Sequence, residues 1–325
     1  MRNTCRMSSN TGTWDMGDTQ KLTERVARLA YEHGLTHQEI ADILNLKRIK
    51  ITRLLAKARE RDLVIIRVKS DVELFPIEAE ALKRTFGLEN TWIAPTADSR
   101  EATKTSVAKV AAHALNTMIA PNMTIAMSLS NVLAEALKHI EPANREITVI
   151  PSTGSMLNPR YGASIMDLTA TLADIYAGTA LKLPAPLVSR GSKLATDYLN
   201  DRRVSEALRL ASKSDLFIGG LGSINSKTGL LTGQQLTSKE IDELRRAGAI
   251  GDVGARFYDI DGSEIETPVS SRIVGLTLSE VSSIPKRLVV SFGPERVKAI
   301  RTGIRSGLVN SLVTDLTTAR ELLEQ

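Results

Sequence analysis

The sequence predicts an α/β protein in two parts: a small all-α helix-turn-helix domain, followed by a large doubly wound, Rossmann-like α/β domain. Three observations support this. Residues 22–68 read as a short helix, a capped helix, a tight turn and a strongly basic helix. From Thr91 onward strand-like and helix-like segments alternate, the pattern of an open, mostly parallel sheet with helices on both faces. At 325 residues the chain is too long for a helix-turn-helix alone and long enough for a second, larger core. The expected boundaries are a polar tail over residues 1–20, the helix-turn-helix domain over 21–69, a linker over 70–76 and the α/β domain over 77–325.

In the first part, Thr36 stands where an N-cap belongs, and Glu39 completes a capping-box pattern. Ile40, Ala41, Ile43 and Leu44 follow at helical spacing, Asn45 breaks the run, and Leu46 returns to the core. In residues 47–59, Ile51, Leu54, Leu55 and Ala58 share one side, while Arg48, Lys50, Arg53 and Lys57 point elsewhere. Such a helix is placed to enter the DNA major groove while its predecessor braces the backbone. Charge agrees: residues 47–69 carry nine Lys/Arg against two acids, and residues 1–69 net +6 in a chain that totals +5. A localised positive face is expected of a phosphate-backbone binder. The candidate DNA contacts are Thr36, Arg48, Ile49, Lys50, Thr52, Arg53 and Lys57. Arg48 or Arg53 suits guanine edges, and Thr52 and Lys57 suit phosphates. Ile49 suits either a thymine methyl or packing on the preceding helix. The alternative is a basic helix on a solvated or protein-binding surface.

The only cysteine, Cys5, excludes an intrachain disulfide, and His33, His37, His113 and His139 lack metal-ligand spacing. No apolar run is long enough to span a bilayer, no signal-peptide pattern opens the chain, and the polar tail reads as disordered. A cytoplasmic protein without metal or cofactor is the expectation. The Gly219-Gly220-Leu221-Gly222 run lacks the third glycine and the spaced acid of a dinucleotide fingerprint. Trp92 reads as core, and Trp14 belongs to the tail.

Beyond the linker, Pro76 suits a helix first turn, and Ile77, Ala81, Leu82 and Phe86 form an apolar stripe closed by Gly87. Strands are expected at 91–94, 123–128, 146–150, 180–187, 215–219, 287–292 and 311–314. Helices are expected at 104–119, 131–139, 167–177, 204–212, 238–247 (with a serine cap), 295–305 and 317–324. In such a sheet a ligand sits beyond the C-terminal strand ends, at a switch point in strand order. The loops that matter therefore follow strands: 128–131, 152–155, 219–223 and 291–294.

These segments together resemble the SorC (sugar-binding, DeoR-like) family of bacterial transcriptional regulators, over nearly all of residues 21–325. Residues 31–41 are similar to the family's second-helix entry and residues 51–55 to its recognition-helix core. The segments 183–187, 248–253, 255–259, 307–310 and 312–315 follow in the family's order. The resemblance implies a ligand-responsive regulator of sugar or polyol catabolism. It implies a large domain similar in fold to sugar-phosphate isomerases and deaminases, a dimeric or tetrameric assembly, and a sugar or sugar-phosphate effector. There are departures. A glycine-rich loop of the family is here Met127-Ser128-Leu129-Ser130-Asn131, a Gly-Gly is Phe292-Gly293, and the following lysine aligns with Arg296. The family's Cys-Gly before Arg-Phe is Gly254-Ala255. Arginine keeps the charge and adds a bidentate fork, so an anionic effector remains compatible.

The candidate effector residues are Ser128, Ser130, Asn131, Thr153, Gly154, Ser155, Gly222, Asp252, Arg256 and Arg296. Ser, Thr and Asn at strand ends also serve ordinary turns and caps. Asp252 suits sugar hydroxyls, and Arg256 suits Asp252, Asp259 or an effector phosphate; a structural ion pair is the alternative for both. Arg296 at a helix start opposes the dipole, a conflict that a bound anion relieves. The expected function is DNA-binding regulation, by repression, of a carbohydrate or polyol operon, without enzymatic activity. The alternative is a sugar-phosphate isomerase- or deaminase-like enzyme with a basic N-terminal extension, a possibility that fold alone leaves open.

Overall fold

The computed structural model describes residues 16–64, 74–156, 164–225 and 236–324. The chain divides into two compact units, residues 1–72 and 73–325. Most of the expected polar tail, including Cys5 and Trp14, lies outside the described residues, as does the segment 65–73.

In the first unit, α1 spans Met16–Tyr31, α2 His37–Leu44 and α3 Arg48–Glu60. The first helix thus starts inside the stretch expected to be tail. Thr36 caps α2 in a full capping box: its hydroxyl accepts from the Glu39 N–H, and Glu39 accepts from the Thr36 N–H at 2.7 Å. Asn45 ends α2 in the left-handed region (φ 49°), and the Leu46 N–H returns to the Ala41 carbonyl at 2.9 Å. Asparagine tolerates this conformation better than other residues with a side chain, so the pattern break at Asn45 is the turn itself. Val26, Ile40, Ala41, Ile51, Leu54 and Leu55 form the small core.

The second unit opens with α4 (Pro76–Phe86), which begins at Pro76 and ends at a left-handed Gly87. Among the described residues seven parallel strands follow, in the order β1-β9-β8-β5-β2-β3-β4. They are β1 (Asn90–Ala94), β2 (Thr124–Met127), β3 (Thr148–Pro151), β4 (Thr179–Ala180), β5 (Leu216–Ser223), β8 (Lys286–Val290) and β9 (Ser311–Asp315). Strands β6 (Gly251–Val253) and β7 (Arg256–Tyr258) form a hairpin that extends β5 in antiparallel fashion. Gly254 and Ala255 both take positive φ (58° and 67°) at its tip, the geometry of a two-residue turn that follows strand twist.

Side chains alternate between the two faces of the sheet. On β2, Ala126 faces the core under α4, α9 (Arg202–Ala211), α11 (Leu278–Ser283), α12 (Val297–Arg305) and α13 (Leu316–Glu324). Its neighbours Ile125 and Met127 face α5 (Arg100–Met118), α6 (Asn131–Leu137) and α7 (Ile165–Ile175). Trp92 is buried in this second core. The chain is therefore doubly wound. It leaves β2 toward β3 on one side and β5 toward β8 on the other, so β2 and β5 flank the switch point.

Several elements differ from their expected form. The strand expected over 180–187 is only two residues long, because Pro184 and Pro186 have no N–H to donate to a ladder. Helix α8 (Ser192–Asn200) is additional. Strand β5 runs through the glycines expected to be a loop. Helix α10 (Ser238–Arg246) is capped by Thr237 rather than by a serine, with Glu240 completing the box. Helix α5 starts one turn early, at Arg100, capped by Ser99. That exposed first turn has a capping signal but no apolar periodicity.

Candidate functional site

A cavity of about 290 Å³ opens at the C-terminal strand ends beside β2 and β5. Of the expected effector residues, Ser128, Ser130, Asn131, Thr153, Gly222, Asp252 and Arg296 line it. The loop after β2 approaches β5 closely here because β5 carries glycine. A Cβ at Gly219 would lie 2.5 Å from the Ser128 hydroxyl, and one at Gly220 would lie 3.2 Å from that of Ser130. The glycines thus serve close packing of β5 on the β2 loop. The buried Ser128 hydroxyl has no hydrogen-bond partner among the described residues. Ser130 caps α6, accepting from the Leu133 N–H at 3.4 Å.

Asp252 sits on β6 and borders the cavity. Protein packs around its carboxylate, and the resulting desolvation pushes its pKa up to about 6 despite the nearby Arg296 and the Ala255 N–H. Arg296 ends a short 3-10 turn (Pro294–Arg296) ahead of α12 and is buried, 9% exposed. Burial, reinforced by Arg100, holds its pKa below the usual arginine value, while Glu295 and Asp252 oppose that shift. Its Nε makes no hydrogen bond among the described residues.

Three expected residues lie elsewhere. The Arg256 guanidinium donates to the carbonyls of Ser270, Ile273, Gly275 and Leu276 at 3.1–3.3 Å and pairs with Glu264 at 3.2 Å. It is buried, and its donors are committed to holding the 270–276 segment, which corrects the effector role expected of it. Gly154 is packed against backbone, a Cβ there falling 2.3 Å from the Pro186 carbonyl oxygen. Ser155 bridges to Pro186. Both stitch loops together and lie outside the cavity lining.

Spacing along the sequence did not point to Arg100, Glu101 and Lys104, which α5 brings to the cavity, or to Phe292, two residues beyond β8. The Ser99 cap was the available signal for the first two. The Arg100 and Arg296 guanidiniums lie 5.3 and 5.7 Å from the Phe292 ring centroid. The cavity wall thus combines apolar and polar groups, with three cationic side chains among the latter, and is suited to a small polyhydroxy or anionic ligand.

In the first unit, Arg48, Ile49, Thr52 and Arg53 are exposed along α3, and Lys50 and Lys57 are half-buried. Ile49 is 68% exposed, so it does not pack on the preceding helix. The Thr36 hydroxyl is engaged in its capping box. Thr52 lies 3.3 Å from His37 Nδ1, joining α3 to the start of α2.

Residues 73–324 match the family described as "Putative sugar-binding domain". The transcriptional regulator LsrR of Escherichia coli O9:H4 (strain HS) is 28% identical over 309 residues, covering 92% of this chain and 94% of the relative. LsrR of Enterobacter sp. (strain 638) is 26% identical over 310 residues, covering 94% and 93%. Among solved structures, a DeoR family transcriptional regulator from Listeria monocytogenes matches with a TM-score of 0.71 at 25% identity, covering 75% of this chain and 98% of that one. The full-length sorbitol operon regulator SorC from Klebsiella pneumoniae shares the fold, with a TM-score of 0.71 at 23% identity over 94% of this chain and 99% of that one. The fold and cavity define a transcriptional regulator with a sugar-binding α/β domain. The chain belongs to the SorC family of such regulators.

Proposed function

We propose that this protein binds an operator through its helix-turn-helix unit and that a sugar, polyol or sugar phosphate in the α/β cavity sets its DNA affinity. The observation that carries this reading is the cavity at the sheet's switch point, lined by Arg296, Asp252 and the 128–131 loop, in a chain that also carries an exposed basic helix. Arg48, Lys50 and Arg53 take the DNA, with Ile49 and Thr52 beside them and Lys57 on the phosphates. Thr36 contributes by fixing the entry of α2.

The effector is read as phosphorylated. Arg296 supplies a buried charge whose Nε makes no hydrogen bond among the described residues, and the Ser128 hydroxyl makes none there either. A buried cation gains most from a charged partner that completes its hydrogen bonds. The role is repression of a carbohydrate or polyol operon, by binding rather than by catalysis, in the cytoplasm where the operator lies. A dimer or tetramer follows from the need of such motifs to read two half-sites about one helical turn apart. Light scattering at micromolar concentration should find no monomer.

The test is an electrophoretic shift of the fragment upstream of the neighbouring operon, with and without sugar phosphates and their free sugars. Release of DNA by a phosphate ester, but not by its free sugar, is the expected result. An unshifted fragment would sink the DNA reading, and equal release by the free sugar would sink the anionic effector.

A further inference from the structure

The loop 292–296 folds back on itself above the cavity. Gly293 takes φ +106°, which residues with a side chain rarely adopt, and a Cβ there would lie 2.6 Å from Glu295 Oε2. The absent side chain leaves the space that the Glu295 carboxylate occupies. From there Glu295 Oε1 reaches the Arg100 guanidinium at 2.9 Å and lies 3.7 Å from Arg296 Nε. Both guanidiniums also lie near the Phe292 ring, at 5.3 and 5.7 Å from its centroid. The ring offers each cation a contact besides the carboxylate. Of the carboxylates that line the cavity, Glu101 pairs with Lys104 at 2.8 Å, and Asp252, which also faces Arg296, accepts from the Ala255 N–H.

We infer that Glu295 is a specificity-determining residue of the cavity, a tethered carboxylate that competes with an anionic ligand for Arg100 and Arg296. This rests on the reading of the cavity as an anion site. A ligand phosphate that bridges the two guanidiniums must displace Glu295, which is partly exposed and free to turn toward solvent. Both bring negative charge to the same donors, so the site discriminates by strength of pairing. A weakly basic or singly charged anion fails to displace the tethered carboxylate, and a phosphate dianion succeeds. A neutral polyol has no charge with which to displace it. Glu295 thereby raises the threshold for response to the anion and keeps common monovalent anions from filling the site.

The test is calorimetric titration of the full chain with inorganic phosphate at pH 8, where the dianion dominates. Glu295→Gln keeps the side-chain size, and Glu295→Ala removes the tether; thermal melts establish that both are folded. Phosphate should bind about three- to tenfold more tightly to both variants than to the unaltered chain, the order expected for removing a partly exposed competing ion pair. Chloride should compete with phosphate measurably better in the variants. If all three proteins bind phosphate equally, or the variants bind it more weakly, and Arg296→Ala abolishes binding, the cavity is an anion site but Glu295 is no competitor. If neither the unaltered chain nor either Glu295 variant binds phosphate at millimolar concentration, the anion-site reading is wrong, and the competitor falls with it.

Discussion

Gly219 and Ser128 lie so close that a methyl group on the glycine would come within 2.5 Å of the serine hydroxyl. This contact packs β5 against the loop after β2 at the switch point, where Ser128 lines the cavity. Ladder pairing with β8 and β6 makes strand of the stretch expected to be a glycine-rich loop.

Gly219→Ala should therefore destabilise the α/β domain by about 1–3 kcal/mol, the usual cost of overpacking a close-fitted interior. The added methyl also meets the Phe217 ring at 2.8 Å, so no single side-chain shift relieves it. Urea unfolding measures the loss. A midpoint equal to that of the unaltered chain would show that the β2 loop yields without cost.

Arg296→Ala and Arg256→Ala should separate binding from stability. Arg256 satisfies four carbonyls and Glu264 while buried, so its removal should cost about 3–5 kcal/mol of stability. Arg296 makes no such set of bonds, and its loss should spare most of the stability while weakening a phosphorylated effector at least tenfold. Melting curves and calorimetry on the two variants decide it. A reversed pattern would overturn both assignments.

Arg53→Ala should weaken operator binding by about 1–3 kcal/mol, the worth of a lost bidentate base contact. Arg53 is exposed beside the buried pair Leu54 and Leu55, so the melting temperature should not change. Gel shifts at fixed salt, with specific and scrambled DNA, test this. A loss equal for both DNAs would move Arg53 from base to phosphate contact.

Asp252 gives the domain a pH dependence of definite sign. Its pKa rises from 3.8 to about 6 on folding, so between those values the folded chain binds a proton that the unfolded chain has released. Stability from this group is greatest at the acid end of that window, falls as pH rises through it, and levels off above. The span is on the order of 2–3 kcal/mol. Asp252→Asn should flatten that part of the profile and stabilise the protein near pH 7.5. Urea midpoints from pH 4 to 8 measure it; an unchanged slope in the variant would remove Asp252 as the cause.

The sequence by itself determined the parts of this protein whose causes are local. The Thr36–Glu39 capping box, the start of α4 at Pro76, its end at Gly87 and the alternation of strands and helices depend on residues within a turn or two of one another. Residue spacing was enough to read them. Which residues meet at the cavity was decided by the tertiary structure. Strand order brings Arg100 at the start of α5, Asp252 on β6 and Arg296 after β8 to one place, although long stretches of chain separate them. The same packing buries Arg256 against four carbonyls and threads the glycines of β5 past the β2 loop. Charge and hydrogen-bonding capacity are properties of a residue, but the partner that uses them is supplied by the fold, and no local spacing records it.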